Sequence, residues 1–531
     1  MHSKWLISVF FALLLISCMK SKGDKHTGTN QAPVPEENPA SKPAPDSAIA
    51  PSATGSWIVI NTAGRTVNPE HLEVIPPSPQ PREALRMEKE DFGRLMDEWI
   101  APDADLGYWY LVNGDYQRMG AALESFRDSS PPLMEQDKLD GREPRNEGLA
   151  YLFNAVKAPN GNDVAAVTCL GCHFNHLEGR MVPGLGRAQR MVKIDATGGT
   201  ANPIAIILTS IVKGDLLSTI ANALDFIVRI AQGAFTHGHF MDIFADLAAR
   251  HDPKTLEWTN KLSFDPSSGF RGHVDFPPWW NVKKKNALYF NGTGRGWKGD
   301  HMLYMSWFSV NGISEAEKIR NNFLHVQAWI ETIQPPRYND FSPTQYEPAL
   351  AAEGKLVYEN NCSTCHGTYA ENEEDETFPN LLIHYEEVGT DPVLADNHWI
   401  YPAIDWYNSS WYGEDGKSSI VRSKGYVAQP LDGIWATAPY FHNGSVPTLA
   451  GVINPDKRPD VWTSDMGKGD FDYDAVGWKN KPIEDIQILT YDFSGGIYDT
   501  RRKGQSNAGH TYGAHLNKQE QLALLEYLKT L

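Results

Sequence analysis

Cysteine is scarce in this chain, and what little there is leaves nothing for a disulfide framework. Five occur in 531 residues; four form two close pairs, Cys169 with Cys172 and Cys362 with Cys365, and Cys18 stands alone near the start. Basic charge is also short. Lysine and arginine number 48 against 66 acidic residues, a net charge of −18, which argues against a nucleic-acid partner. Beyond the first sixteen residues no stretch is long and apolar enough to cross a membrane.

What the chain does have is the same short pattern twice. Cys169-Leu170-Gly171-Cys172-His173 and Cys362-Ser363-Thr364-Cys365-His366 both read C-x-x-C-H, the spacing that attaches a c-type haem. Two thiols one helical turn apart can reach the two vinyl groups along one haem edge. The histidine that follows then lies under the macrocycle as an axial iron ligand. Zinc sites and redox dithiols are the alternatives, since C-x-x-C serves both. Zinc needs four ligands, usually closely paired, whereas these pairs are far apart in sequence; a redox dithiol needs no following histidine. Two covalently attached haems are expected, with His173 and His366 as iron ligands.

The first residues carry Lys4, an apolar run from Trp5 to Ile16, and Leu15-Ile16-Ser17-Cys18, a pattern similar to a bacterial lipoprotein signal with Cys18 as the lipidated residue. A plain secretory signal is the alternative. Either fits export to the compartment where c-type haems are attached, and lipidation would tether the protein to a membrane by its anchor alone. Residues 19–55 are rich in Pro, Ser, Ala, Lys and Glu and read as an extended, disordered tether.

The remaining body is long enough for two or three domains, and the two motifs suggest one around each, an N-terminal haem domain over 56–340 and a C-terminal one over 341–531. Helices are expected over Lys89–Trp99, Met119–Phe126, two segments within Ile204–Leu247, and Ala351–Asn361. A final helix follows a capping box at Asn517 and Glu520 and presents Leu524, Leu525, Leu528 and Leu531 on one face. His176 is too close to His173 to reach the opposite haem face and reads as a surface or propionate-contacting residue. His237 and His239 read as a solvated helix-end pair. Glu371–Glu376 is an acidic, solvated loop, with calcium a minor candidate.

One stretch stands apart. From Asp275 to Gly292 the chain packs Trp279, Trp280, the triplet Lys283-Lys284-Lys285, Tyr289 and Phe290 into eighteen residues. Core packing is the ordinary use of such aromatics, and solvation of such lysines. The specific alternative is that lysines neutralise haem propionates while Trp279, Trp280, Tyr289 or Phe290 relay electrons between haems or line a distal pocket.

From Gln429 to Leu449, through Thr437-Ala438-Pro439-Tyr440-Phe441-His442-Asn443-Gly444, the sequence resembles the di-haem cytochrome c peroxidase superfamily. The double tryptophan with its lysine triplet, and Ser506-Asn507-Ala508-Gly509-His510-Thr511-Tyr512-Gly513, are closer to its rubber oxygenase branch. The resemblance implies a mainly α protein of two cytochrome c-like haem domains with long loop-rich insertions, one haem relaying electrons and the other doing chemistry. It also makes His442 a candidate to support a haem from outside its ligands. Departures from the pattern fall at both sixth ligands: Asp456 stands where peroxidases place a methionine, and Gln189 where they place a histidine. The resemblance therefore makes His510 the candidate sixth ligand of the second haem, with Met466 behind it, and leaves the first haem open.

The expected function is an extracytoplasmic di-haem oxidoreductase. It would activate peroxide or dioxygen at the N-terminal haem, with an apolar substrate or a redox protein as partner. The alternatives are a non-enzymatic di-haem electron carrier, with both haems six-coordinate, and a haem-based sensor.

Overall fold

The computed structural model describes residues 61–62, 65–66, 68–78, 102–130, 133–186, 245, 247–259, 261–265, 273–396, 398–464, 466–482 and 497–531. Cys18, the tether, Gln189, His237, His239 and the helices expected over Lys89–Trp99 and the bulk of Ile204–Leu247 lie outside these residues. Asp46–Leu531 makes one compact unit. Among the described residues no helix is long and apolar enough to cross a membrane.

Among the described residues the architecture is mixed α/β, with 37% helix and 16% strand, and clear cytochrome c-like haem domains are not seen. This corrects the mainly α expectation. The missed strands are two to five residues long, too short for periodicity to register, and they lie in segments that read as loops. Some turn signals were nevertheless present. Pro159-Asn160-Gly161 closes a hairpin between Phe153–Lys157 and Asp163–Val167, to which Gly120–Ala122 adds a third antiparallel strand. That strand takes the start of the helix expected over Met119–Phe126, and the helix itself runs Leu123–Ser129. Glu178 and Gly179, both at positive φ, form the two-residue turn between Phe174–Leu177 and Arg180–Pro183, immediately after the first motif.

Two helix pairs carry the frame. Ala104–Asn113 starts at Asp103, whose carboxylate accepts from the Asp105 and Leu106 amides at 2.9 and 3.2 Å, and packs on Ile313–Ile330 where Gly107 lets the two backbones touch at His325. The long partner buries Ala316, Ile319, Arg320, Phe323, Leu324, Val326, Gln327 and Ile330, one face at helical spacing. Arg320 within that face pairs with Asp300 and Asp415, at 2.8 and 2.7 Å, which satisfies a charge that burial would otherwise make costly.

The second pair is Pro348–Asn361 with Lys518–Leu528. The expected capping box forms: Asn517 Oδ1 accepts from the Gln519 and Glu520 amides, and Glu520 Oε2 from the Asn517 amide at 2.8 Å. Leu524, Leu525 and Leu528 are buried. Gly354 sits at the crossing, because a Cβ there would run into the Ala523 carbonyl. The first helix of this pair ends at the second motif, so its packing fixes where that motif begins.

A three-stranded antiparallel sheet runs in the order Gly425–Val427, Leu381–His384, Leu72–Val74, with Leu382 opposite Val427 and Leu381 opposite Val74, and its Leu381 and Ile383 cluster with Cys365. Its Gly425–Val427 strand delivers the chain straight to Gln429.

Candidate functional site

At the second motif, Cys362 ends the Pro348–Asn361 helix, and a single turn, Ser363–His366, carries Cys365 and His366. Tyr358, fully buried one turn earlier, donates its hydroxyl to the Gly367 carbonyl at 2.8 Å and closes the turn. His366 Nδ1 lies 2.7 Å from the Gln429 carbonyl. Donation to that carbonyl fixes the tautomer and leaves the Nε2 lone pair available to a metal.

His510 faces His366 across 6.2 Å between ring centroids, at 61° between planes. A metal–imidazole bond of about 2 Å puts a ring centroid about 3 Å from the metal, so two rings sharing one metal stand about 6 Å apart. The structure thus brings together the two histidines expected to share the second haem. His510 Nδ1 is buried and has no hydrogen bond to another described residue. Burial, then His366 and Arg458, push its pKa down to about 3, so the ring is neutral, as a ligand must be.

The loop bearing His510 is strained and pinned. Gly509 and His510 both have positive φ, and a Cβ on Gly509 would collide with Gly389. Arg458 clasps the loop, donating to the carbonyls of Asn507 and Gly509 at 2.7 Å each and of His510 at 3.1 Å. Its guanidinium also lies over Phe441, which packs near His510. Sequence reasoning missed Arg458; an arginine after a proline-rich turn carries no signal of the loop it will hold fifty residues later. Asp456 is exposed nearby, on the turn Pro455–Lys457. Met466 lies elsewhere, on the loop whose Gly469 and Phe471 amides bond Glu178 in the hairpin after the first motif.

At the first motif, Cys169 precedes the turn Leu170–His173 and its amide bonds the buried Tyr116 hydroxyl. His173 lies against Trp279, ring centroids 4.5 Å apart and planes 18° apart, with Phe276 edge-on at 5.9 Å. Tyr304, partly buried near both cysteines, belongs to a polar-aromatic group with Tyr289, His301 and Tyr407. Tyr289 itself takes a positive φ and donates to the His301 carbonyl at 3.2 Å, while the Phe290 carbonyl accepts from the Val427 amide. His176 sits on the strand after the motif, bonded to the Gln136 carbonyl at 3.2 Å and near Asp137.

The Trp279–Lys285 stretch connects the two places. Its tryptophans diverge, Trp279 to His173 and Trp280 to the Asp432 carbonyl, where its indole donates at 2.7 Å. Asn281 donates to the Pro430 carbonyl and Lys285 to Gln429 Oε1. Lys283 and Lys284 pair with Glu373 and Glu376 of the acidic loop, and Lys284 also with Asp432. Those carboxylates are engaged by lysines. His442 is buried and stacked on Tyr426 at 4.0 Å, and burial pushes its pKa down to about 3.

No disulfide joins the four described cysteines, and burial pushes the thiols of Cys169, Cys362 and Cys365 up to about 12. A redox dithiol requires the opposite shift. Among the described residues one other cluster brings metal-binding atoms together: His71, His384 and Glu386, within 4.8 Å. Its two imidazoles stack face to face, planes 21° apart, so their ring planes share no nearby point where a metal could sit.

A RoxA-like, cytochrome c-like family matches residues 425–463. Two relatives are uncharacterized proteins of Sinorhizobium fredii (strain NBRC 101917 / NGR234). Protein y4iJ is 28% identical over 295 residues, 44% of this chain and 48% of that protein; y4iM is 25% identical over 264 residues, 45% and 56% respectively. The chain spans about half the length of the curated relatives it matches. The family match supports a cytochrome c-like relation to the rubber oxygenase branch and a haem-based redox function. The matched span contains both Gln429, which holds His366, and Arg458, which holds the His510 loop. The neutral, facing histidines beside Cys362 and the buried Cys365 fit a c-type haem.

Proposed function

We propose that the chain is a di-haem c-type oxidoreductase that activates peroxide or dioxygen at the haem of Cys169, Cys172 and His173. Electrons would pass through the haem of Cys362, Cys365, His366 and His510. A bound c-type haem supplies one-electron redox chemistry and, where a coordination position is exchangeable, a place for oxygen or peroxide. The observation that carries this reading is the pair His366 and His510, facing each other at the spacing of two ligands on one metal, while at the other motif Trp279 stacks on the face of the His173 ring.

The chain's own groups divide the work. Gln429 orients His366 through its carbonyl, and Arg458 holds His510 in register opposite. Trp279 packs the His173 imidazole, and Trp280, the next residue, is hydrogen-bonded into the segment that orients His366. Two adjacent aromatic side chains thus lead from one site to the other and shorten any electron transfer between them. Export and lipidation at Cys18 belong to the same proposal, as the route to the compartment where thioether bonds form.

Electron paramagnetic resonance with carbon monoxide and cyanide binding, on fully oxidised and fully reduced protein, tests it. One low-spin, ligand-inert haem and one exchangeable haem are expected, with peroxide turnover or oxygen consumption in the presence of an apolar co-substrate. Two six-coordinate, inert haems in both states would instead make the protein an electron carrier.

A further inference from the structure

Lys285 is a buried amine that meets no anion among the described residues. It is 3% exposed, and its ammonium donates to one neutral acceptor, Gln429 Oε1, at 2.7 Å. An ammonium carries three donors, and burying one against a single neutral partner costs far more than that hydrogen bond returns. Burial, and then the nearby ammonium of Lys298, push its pKa down to about 7.

The carboxylates that meet its neighbouring lysines are already occupied. Glu373 pairs with Lys283, and Glu376 and Asp432 with Lys284. Glu331 lies 3.7 Å from Lys298 and accepts from Gln327 at 2.9 Å, and Asp300 is held by Arg320. Lys298 thus has Glu331 and the Val282 carbonyl, at 2.7 Å, whereas among the described residues Lys285 has Gln429 Oε1 and no carboxylate.

Position says which side a counter-charge comes from. Gln429 holds the Lys285 ammonium through its side chain and the His366 imidazole through its main chain, each at 2.7 Å. The ammonium and the ligating ring are thus attached to opposite ends of one residue. We propose that Lys285 is the counter-charge for a propionate carboxylate of the haem held by His366. The inference rests on the haem reading of the second motif and adds to it a residue that sets the cofactor's charge balance. Its neighbours Lys283 and Lys284, paired with the acidic loop, serve the fold instead.

The test is spectroscopic, on full-length protein whose two haems are verified by the pyridine haemochrome spectrum. Lys285→Met should shift a propionate bending band in the resonance Raman spectrum and lower the potential of the low-spin haem, since loss of a positive charge favours the ferric form. Lys285→Arg should restore both, and Lys283→Met should move neither. An unmoved band and potential in Lys285→Met, with both haems attached, overturns the proposal. If that variant does not accumulate, the wild type decides: the redox infrared difference spectrum should contain a lysine band, identified by 15N-lysine labelling, that follows the low-spin haem, and its absence is equally fatal. A lysine band that instead follows added chloride or acetate would assign the site to a free anion and also overturn it. Absence of haem at Cys362 and Cys365 would be a failure of the underlying function, seen before any of these measurements.

Discussion

Trp279 lies nearly flat on His173, while Trp280 turns away and gives its indole hydrogen to the Asp432 carbonyl. Two consecutive side chains thus belong to two different sites, a use of adjacency that a short 3-10 turn, Trp279–Lys284, permits because successive residues diverge by about a third of a turn. The consequence is mechanical. Moving the segment that orients His366 must move the surface against which His173 packs.

Attachment through both motifs is the simplest point to check. Denaturing-gel haem staining is expected to show two haems' worth of signal, retained because thioether bonds survive unfolding. Cys362→Ser with Cys365→Ser should remove half of it. Unchanged staining would remove the second motif from the assignment.

His510→Gly is expected to convert one low-spin haem to high-spin and to raise its potential, since a nitrogen donor that favours the ferric form is lost. Arg458→Met should act more weakly in the same direction, because Arg458 touches the loop rather than the cofactor; a mixture of spin states is the expected signature. Arg458→Lys should not restore the spectrum, since one ammonium cannot reproduce the guanidinium fork that reaches three carbonyls. An unaltered low-spin signal in His510→Gly would pass the ligand role elsewhere.

The legible parts of the sequence were those whose signal is local. A C-x-x-C-H spacing, a capping box at Asn517 and Glu520, and a leucine stripe on the last helix each occupy one turn or one face; the structure forms the cap and buries Leu524, Leu525 and Leu528, while the helix ends at Leu528 and leaves Leu531 partly exposed beyond it. Short strands were illegible for the opposite reason. Leu381–His384 is strand because Gly425–Val427 and Leu72–Val74 flank it from positions distant in the chain, a pairing no window of residues displays. At the site the same division holds. Each histidine could be named, whereas Gln429 acts through a carbonyl that every residue possesses, and Arg458 through a loop that folds back to meet it.

Gly354 tests the packing beneath the second motif. Because a Cβ at this position would enter the Ala523 backbone, Gly354→Ala must push the Pro348–Asn361 and Lys518–Leu528 helices apart. Overpacking of this kind costs about 1–3 kcal/mol, partly offset by the better helix propensity of alanine, about 1 kcal/mol. A lowered denaturation midpoint is expected, together with a perturbed low-spin spectrum, since the helix that moves carries Cys362. A stabilised variant with an unchanged spectrum would mean that the helices do not cross at Gly354.

His251 sets an acid limit to stability. Its ring is buried between the Leu247 carbonyl, 2.6 Å from Nδ1, and the Val310 carbonyl, 3.1 Å from Nε2, with Trp258 edge-on at 5.2 Å. Burial lowers its pKa below the ordinary 6.5 and outweighs the two carbonyls, which favour the charged form. The unfolded chain therefore takes up a proton near pH 6.5 while the folded one does not. Protons then favour unfolding, so stability falls as pH drops from 6.5 towards the folded value and levels off below it. His251→Gln, which can still donate to one carbonyl but cannot titrate, should lose stability at pH 8 and yet show a shallower decline between pH 6.5 and 5. Parallel stability profiles for the two proteins over that window would show that His251 protonates equally in both states, and that the acid limit lies with another group.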